Sequence, residues 1–256
     1  MRAMILAAGL GTRLKPLTND RPKALVEING KTLLEITLRR LAAFDIHDVI
    51  VNVHHFADLV IDYLQDNRNF GMHVEISRED QLLDTGGGLK KASWFFQEDA
   101  VRTEPFLLHN VDVISSIDFG WMLQAHKENR ALATLAVQER KTSRYLLFDE
   151  KNQLCGRRNA DASSEERVRP SQQTHAYAFS GIHVISPRML SMIDEAGAFS
   201  IVTTYLRLAG REECISGLRT DQFYWRDVGT PESVAAAADA AHHTAALGKA
   251  ITSTEN

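Results

Sequence analysis

The stretch from Ala3 to Val26 constrains this chain more than any other. Ala3-Met4-Ile5-Leu6-Ala7-Ala8 is a short apolar run, and Gly9-Leu10-Gly11-Thr12-Arg13 follows it directly. An apolar run bounded by glycine reads as a buried strand. Glycines let backbone come close to a ligand, and successive N–H groups in such a loop make an anion-binding nest. Arg13, Lys15 and Lys23 add fixed positive charge nearby. A glycine loop with a guanidinium and an ammonium meets the needs of a triphosphate. The competing reading is an ordinary strand-to-loop turn carrying surface cations.

Two familiar phosphate loops are excluded. The dinucleotide fingerprint G-x-G-x-x-G has Leu14 where its third glycine belongs. Gly30-Lys31-Thr32 imitates the end of a Walker A loop, but the glycine that must come five residues earlier is Leu25.

Bulk properties narrow the classes. A chain of 256 residues makes one large α/β domain or two small ones. The formal net charge of −4 leaves no basic footprint for nucleic acid. The N-terminal apolar run is too short for a signal peptide or a membrane span, so no membrane partner is expected. Cys155 and Cys214 make no disulfide framework and read as reduced thiols of a cytoplasmic protein.

Periodicity then orders the chain. Asn29-Gly30 marks a turn, and Thr32 with Glu35 forms a capping box ahead of a helix reaching about Phe44. Val49 to Val53 reads as a strand, Phe56 to Leu64 as a helix and Met72 to Ser77 as a strand. That alternation signals a doubly wound, mostly parallel sheet with helices on both faces. Thr85-Gly86-Gly87-Gly88 opens onto a helix. Three consecutive glycines there imply either a ligand against the backbone or very tight helix packing. Pro105 to His109 is a buried strand ending at Asn110-Val111-Asp112. A carboxylate at such a strand end sits where open α/β sheets bind ligands, although a turn or cap aspartate looks the same. Asp118 caps a helix, Ala131–Val137 and Arg144–Phe148 are strands, and the polar stretch 156–173 reads as a mobile loop, a candidate lid. Thr174 to Ile185 is a long strand interrupted by Gly181, which suggests close approach of backbone or ligand. Ser200 starts a helix closed by Gly210, and Cys214 to Leu218 is a strand. Phe223-Tyr224-Trp225-Arg226-Asp227-Val228-Gly229 leads to Thr230-Pro231, a good start for the last helix. Asp227 alone could be a loop aspartate. His109 reads as a packed core histidine. The adjacent pairs His54-His55 and His242-His243 point different ways and make poor joint metal ligands.

The joint pattern A-A-G-x-G-T-R-L-x-P-L-T followed by R-P-K-A-L-V resembles the signature of the sugar-phosphate nucleotidyltransferases, the nucleotide-sugar pyrophosphorylases. The similarity runs to about residue 240. In pattern and length it is nearest to the N-acetylmuramate 1-phosphate uridylyltransferase group, with mannose-1-phosphate guanylyltransferases as near neighbours. Asn110-Val111-Asp112 is similar to the family's N-G-D motif with Val111 in place of glycine. Trp225 to Pro231 resembles W-x-D-x-G-T-P. Thr85-Gly86-Gly87-Gly88 is similar to the uridylyltransferase version of its segment, with Asp84 where glutamate is usual. The family's Glu-Lys-Pro triad is absent, which leaves Arg144, Arg157 or Arg158 as substitutes to consider for its lysine.

The resemblance implies a Rossmann-like nucleotidyltransferase domain over residues 1–247. Its nucleotide part spans about 1–115, and its sugar part, about 116–230, includes a small antiparallel subsheet. A last helix follows at 231–247, then a flexible tail at 248–256. It implies a nucleotidyl transfer with Mg²⁺ as cofactor and with an NTP, UTP favoured, and a sugar 1-phosphate as substrates. Asp112 and Asp227 would hold the metal. Arg13 and Lys23 would be catalytic. Ala8, Gly9, Gly11, Thr12, Arg13 and Lys23 would bind nucleotide, with Thr85, Gly86 and Gly87 at its base. Asn110, Ser180 and Gly181 would face the sugar. Alternatives are GTP with mannose 1-phosphate, or a non-catalytic subunit that binds a nucleotide sugar. A monomer or homodimer is expected.

Overall fold

The computed structural model describes residues 1–97 and 103–241. The first elements are β1 (Arg2–Leu6), β2 (Glu27–Ile28), β3 (Lys31–Thr32), α1 (Leu33–Ala42), β4 (Asp48–Val53), α2 (Ala57–Asp66) and β5 (His73–Arg78). Next come α3 (Asp84–Lys91), α4 (Trp94–Gln97), β6 (Phe106–Asn110), β7 (Val113–Ser115), α5 (Phe119–Glu128), β8 (Ala133–Gln138) and β9 (Arg144–Phe148). The last are β10 (Leu154–Asn159), β11 (Glu165–Arg167), β12 (His175–Ile185), α6 (Ile201–Gly210), β13 (Ile215–Arg219), β14 (Trp225–Asp227) and α7 (Pro231–Ala241). The fold is Rossmann-like α/β, and the chain divides into two compact units. One takes Met1–Leu82, His109–Ile117 and the chain from Phe223; the other takes Leu83–Leu108 and Asp118–Gln222.

The first unit is built on parallel strands. β1 pairs with β4 and β4 with β5, in a register that aligns Leu6 with Asn52 and Asn52 with Ser77. Ala3, Met4, Ile5, Val49, Ile50 and Val51 are wholly buried, as strands covered on both faces require. α1 and α2 are the crossovers that make those pairings parallel. The Asn29-Gly30 turn is present, with both residues at positive φ, and it joins β2 to β3. Thr32 caps α1 by accepting the Glu35 N–H at 3.0 Å. The Glu35 carboxylate instead accepts from Arg39 Nε at 2.7 Å and from the Tyr63 hydroxyl at 3.0 Å. α7 starts at Pro231, with Thr230 and Ser233 exchanging N–H to hydroxyl hydrogen bonds at 3.0 and 3.3 Å. The expected helix end at 247, the His242-His243 pair and the tail 248–256 lie outside the described residues.

The second unit is mainly antiparallel: β11, β10, β9, β12 and β8 pair in succession, and β13 joins β8 in parallel. One expectation changes here. The polar stretch 156–173 contains the β10–β11 hairpin rather than an open loop. Arg157 donates to its cross-strand partner Glu166 at 2.8 Å, and the paired residues Arg157, Arg158 and Glu165–Arg167 are so polar that no alternation betrayed the strands. A short, charged edge of this kind resists pairing with other chains. Gly210 is the last residue of α6, as expected, and the left-handed residue of the turn that follows is Glu212 with φ 65°. Packing demands glycine at Gly86 and Gly87. A Cβ on Gly86 would lie 2.3 Å from the Phe199 ring, and one on Gly87 would lie 2.5 Å from the Gly197 carbonyl oxygen. Among the described residues, no helix is long and apolar enough to cross a membrane.

Candidate active site

The site grows from the carboxyl end of β1. The Ala7 N–H leaves the strand and donates to Asn52 Oδ1 at 2.7 Å. Gly11 has φ 64°, a conformation that favours glycine, and its carbonyl accepts the Thr18 hydroxyl at 2.8 Å. The loop is therefore pinned at Gly11. At Gly9 an added Cβ would meet nothing within 4 Å, so that glycine is not required by packing. Ala8 is buried, whereas Gly9, Thr12 and Arg13 are exposed.

Lys23 enters on a 3₁₀ turn after Pro22, half-buried, and its ammonium is ion-paired with Asp112 Oδ2. Asp112 lies in the turn between β6 and β7. Val111 occupies the position before it. Its N–H donates to Leu6 O at 3.1 Å and its side chain is 2% exposed, so the branched residue packs inward. β14 lies antiparallel to β7 with Asp227 opposite Val113, and the Val228 N–H donates to the Asp112 carbonyl at 2.9 Å. The two aspartates, remote in sequence, thus become backbone neighbours. Asp227 Oδ1 accepts the Gly229 N–H at 2.7 Å. A Cβ on Gly229 would lie 2.5 Å from that same oxygen and 2.8 Å from Arg13 Nη2. Gly229 is the residue that lets the Arg13 guanidinium close onto the Asp227 turn.

Arg13, Lys23, Asp112 and Asp227 are therefore assembled within the first unit. Asn110 ends β6 beside them, and its Oδ1 is a buried acceptor with no hydrogen-bond partner among the described residues. His109 is buried, and burial pushes its pKa down to about 4, so it is neutral near pH 7 and cannot serve as a fixed cation.

The remaining predicted residues lie in the second unit. The N–H groups of Gly86 and Gly87 both point to Phe199 O, at 2.9 and 3.3 Å, and Thr85 Oγ1 accepts the Ile201 N–H at 3.0 Å. Their polar groups serve the α3–α6 junction. Ser180 is 0% exposed, and Gly181 takes φ 72° where the β8–β12 register shifts between Phe179 and His183. That register shift accounts for the glycine. None of Gly86, Gly87, Ser180 and Gly181 is displayed on an exposed face.

Sequence reasoning missed Asn52, Thr18 and Gly229 as structural parts of this site. The one signal was a lone polar residue, Asn52, inside the apolar run from Val49 to Val53.

Among the described residues, no group of three or more His, Cys, Asp or Glu is placed to hold a metal ion. Asp112 and Asp227 offer a hard, all-oxygen pair, which suits Mg²⁺ because that ion takes one or two carboxylates and completes its shell with phosphates and water. The Lys23 ammonium on Asp112 marks the carboxylate as a place that accepts a cation.

The family model described as nucleotidyl transferase matches residues 2–244. The N-acetylmuramate alpha-1-phosphate uridylyltransferase of Caulobacter vibrioides is 34% identical over 92% of this chain and 94% of its own length. The mannose-1-phosphate guanyltransferase of Yarrowia lipolytica is 31% identical over 91% of this chain and 61% of its own. Among solved structures, HddC from Yersinia pseudotuberculosis superposes with a TM-score of 0.73 at 22% identity, covering 93% of this chain and 98% of that one. A family match along nearly the whole sequence makes this chain a member of the nucleotidyl transferase family.

Proposed function

We propose that the chain joins UTP to N-acetylmuramate 1-phosphate, releasing pyrophosphate and using Mg²⁺. The observation that carries the chemistry is the meeting of two acidic and two basic side chains beside a glycine loop whose Gly9 faces open space. The choice of substrates rests on the similarity to the uridylyltransferase of Caulobacter vibrioides and to its namesake from Neisseria meningitidis, which is 30% identical.

The acceptor phosphate is already an anion, so the reaction needs no strong base. An oxygen of the sugar phosphate attacks the α-phosphorus, and the bond to the β-phosphate oxygen breaks as pyrophosphate leaves. What opposes this is repulsion between anions, so catalysis is positioning and charge neutralisation. Arg13 neutralises the β- and γ-phosphates, and the loop from Gly9 to Thr12 cradles them. Lys23 serves the α-phosphate. A phosphate arriving there competes with Asp112 for the ammonium and frees the carboxylate. Asp112 and Asp227 would hold Mg²⁺, which would supply further neutralisation of the reacting phosphates. Asn110 offers its unpartnered Oδ1 to a sugar or ribose hydroxyl. Thr85, Gly86, Gly87, Ser180 and Gly181 enter this reading as the framework around base and sugar, through their packing rather than through free polar atoms. The working unit is one nucleotidyltransferase domain, cytoplasmic, as a monomer or homodimer.

A second reading, GTP with mannose 1-phosphate, is favoured by the 31% identity to the Yarrowia lipolytica enzyme. A grid of nucleoside triphosphates against sugar 1-phosphates, read by pyrophosphate release with and without Mg²⁺, decides. The highest rate should fall on UTP with N-acetylmuramate 1-phosphate. A maximum on GTP with mannose 1-phosphate would transfer the assignment, and no turnover with any pair would leave a nucleotide-sugar-binding subunit.

A further inference from the structure

We propose that Asn52 and Glu79 are positioning residues that hold the first N–H of the glycine loop in place for the triphosphate. The inference rests on the triphosphate reading of that loop. β4 is apolar along Val49, Ile50 and Val51 and again at Val53, all buried. A valine at position 52 would continue that apolar run but would leave the Ala7 N–H without its acceptor. Instead Asn52 sits there, 2% exposed. Its Oδ1 accepts the Ala7 N–H at 2.7 Å and its Nδ2 donates to Glu79 Oε1 at 2.7 Å. Glu79 is itself 3% exposed. Its backbone is tied to the end of β4, with its N–H on Val53 O at 2.8 Å and its carbonyl hydrogen-bonded to His54 Nδ1 at 2.9 Å.

An ionised carboxylate only accepts hydrogen bonds. Glu79 therefore orients the Asn52 amide, turning its NH₂ to the acid and its oxygen to Ala7. Buried polar groups are costly unless fully satisfied, and a satisfied network fixes one geometry. Here the geometry fixed is the backbone two residues before Gly9.

The test is a cycle of three variants. Asn52→Asp sets two carboxylates face to face. Adding Glu79→Gln restores an amide-to-carboxylate hydrogen bond with donor and acceptor exchanged, and the Ala7 N–H keeps an acceptor. Affinity for UTP and GTP with Mg²⁺ is measured by calorimetry, beside the KM for sugar 1-phosphate and the Tm. Asn52→Asp should weaken the nucleotide about tenfold, leave the sugar-phosphate KM within about twofold, and be rescued to within about twofold in the double variant. If Asn52→Asp does not fold, Glu79→Gln alone should weaken the nucleotide about threefold. Wild-type nucleotide affinity in the single variants, or a double variant of wild-type Tm that stays weak, would overturn the inference. If the unaltered chain binds neither triphosphate, the reading of the loop fails first and takes this inference with it.

Discussion

Gly229→Ala perturbs the site at the point where its acidic and basic halves meet. The added Cβ would lie 2.5 Å from Asp227 Oδ1 and 2.8 Å from Arg13 Nη2, and ordinary contact begins at 3.4 Å. The carboxylate oxygen must retreat by about 0.9 Å (3.4 − 2.5) and the guanidinium nitrogen by about 0.6 Å (3.4 − 2.8). Both obstacles are ends of side chains rather than backbone, so the chain should fold. The penalty falls on placement. A misplacement near 1 Å costs on the order of 10²-fold in rate, and a smaller one proportionately less. We expect kcat/KM to fall about 30- to 100-fold, equivalent to about 2 to 3 kcal/mol of transition-state stabilisation. The assay is continuous pyrophosphate release, with circular dichroism and Tm as the folding control. A folded variant with kcat/KM within about threefold of the parent would refute the claim that Arg13 and Asp227 act through their present positions.

Other perturbations separate packing from ligand contact. Gly9→Ala meets nothing in the free chain, so Tm should not move, whereas the nucleotide KM should rise about tenfold or more because the methyl occupies ligand space; an unchanged KM would contradict the loop's role. Gly87→Ala drives a methyl into the Gly197 carbonyl and should cost about 1–3 kcal/mol of stability, read as a lowered Tm. His126 is buried between the Thr134 and Ser186 hydroxyls, and burial lowers its pKa from 6.5 to about 4. The unfolded chain takes up this proton first. The contribution of a neutral His126 is therefore complete above pH 6.5 and is lost at about 1.4 kcal/mol per pH unit as pH falls toward 4. Urea midpoints over that window should show the slope, and His126→Gln should reduce it.

What the sequence disclosed follows from how local the responsible physics is. The Thr32 and Asp118 caps and the Asn29-Gly30 turn depend on residues within a few positions, and all are present. The gathering of Arg13, Lys23, Asp112 and Asp227 was visible only through resemblance, because the β7–β14 pairing that joins the aspartates leaves no periodic trace in strands of three residues. The β10–β11 hairpin stayed hidden because alternation needs one apolar face. The triple glycine was ambiguous from the start, since a close ligand and a close helix impose the same demand. The ring of Phe199, far along the chain, makes the packing demand at Gly86 visible. Asn52 is the instructive omission: one polar residue in an apolar strand signals a partner, but only the fold shows that the partner is the backbone of Ala7.

The central claim is that Asp112 and Asp227 together supply the negative charge that would hold Mg²⁺ at the site. The most direct test is Mg²⁺-dependent pyrophosphate release by Asp112→Asn and Asp227→Asn, each shown to be folded. Each should lose on the order of 10²- to 10³-fold in kcat, the scale of one preorganised electrostatic group. Near-parental turnover in both would contradict it.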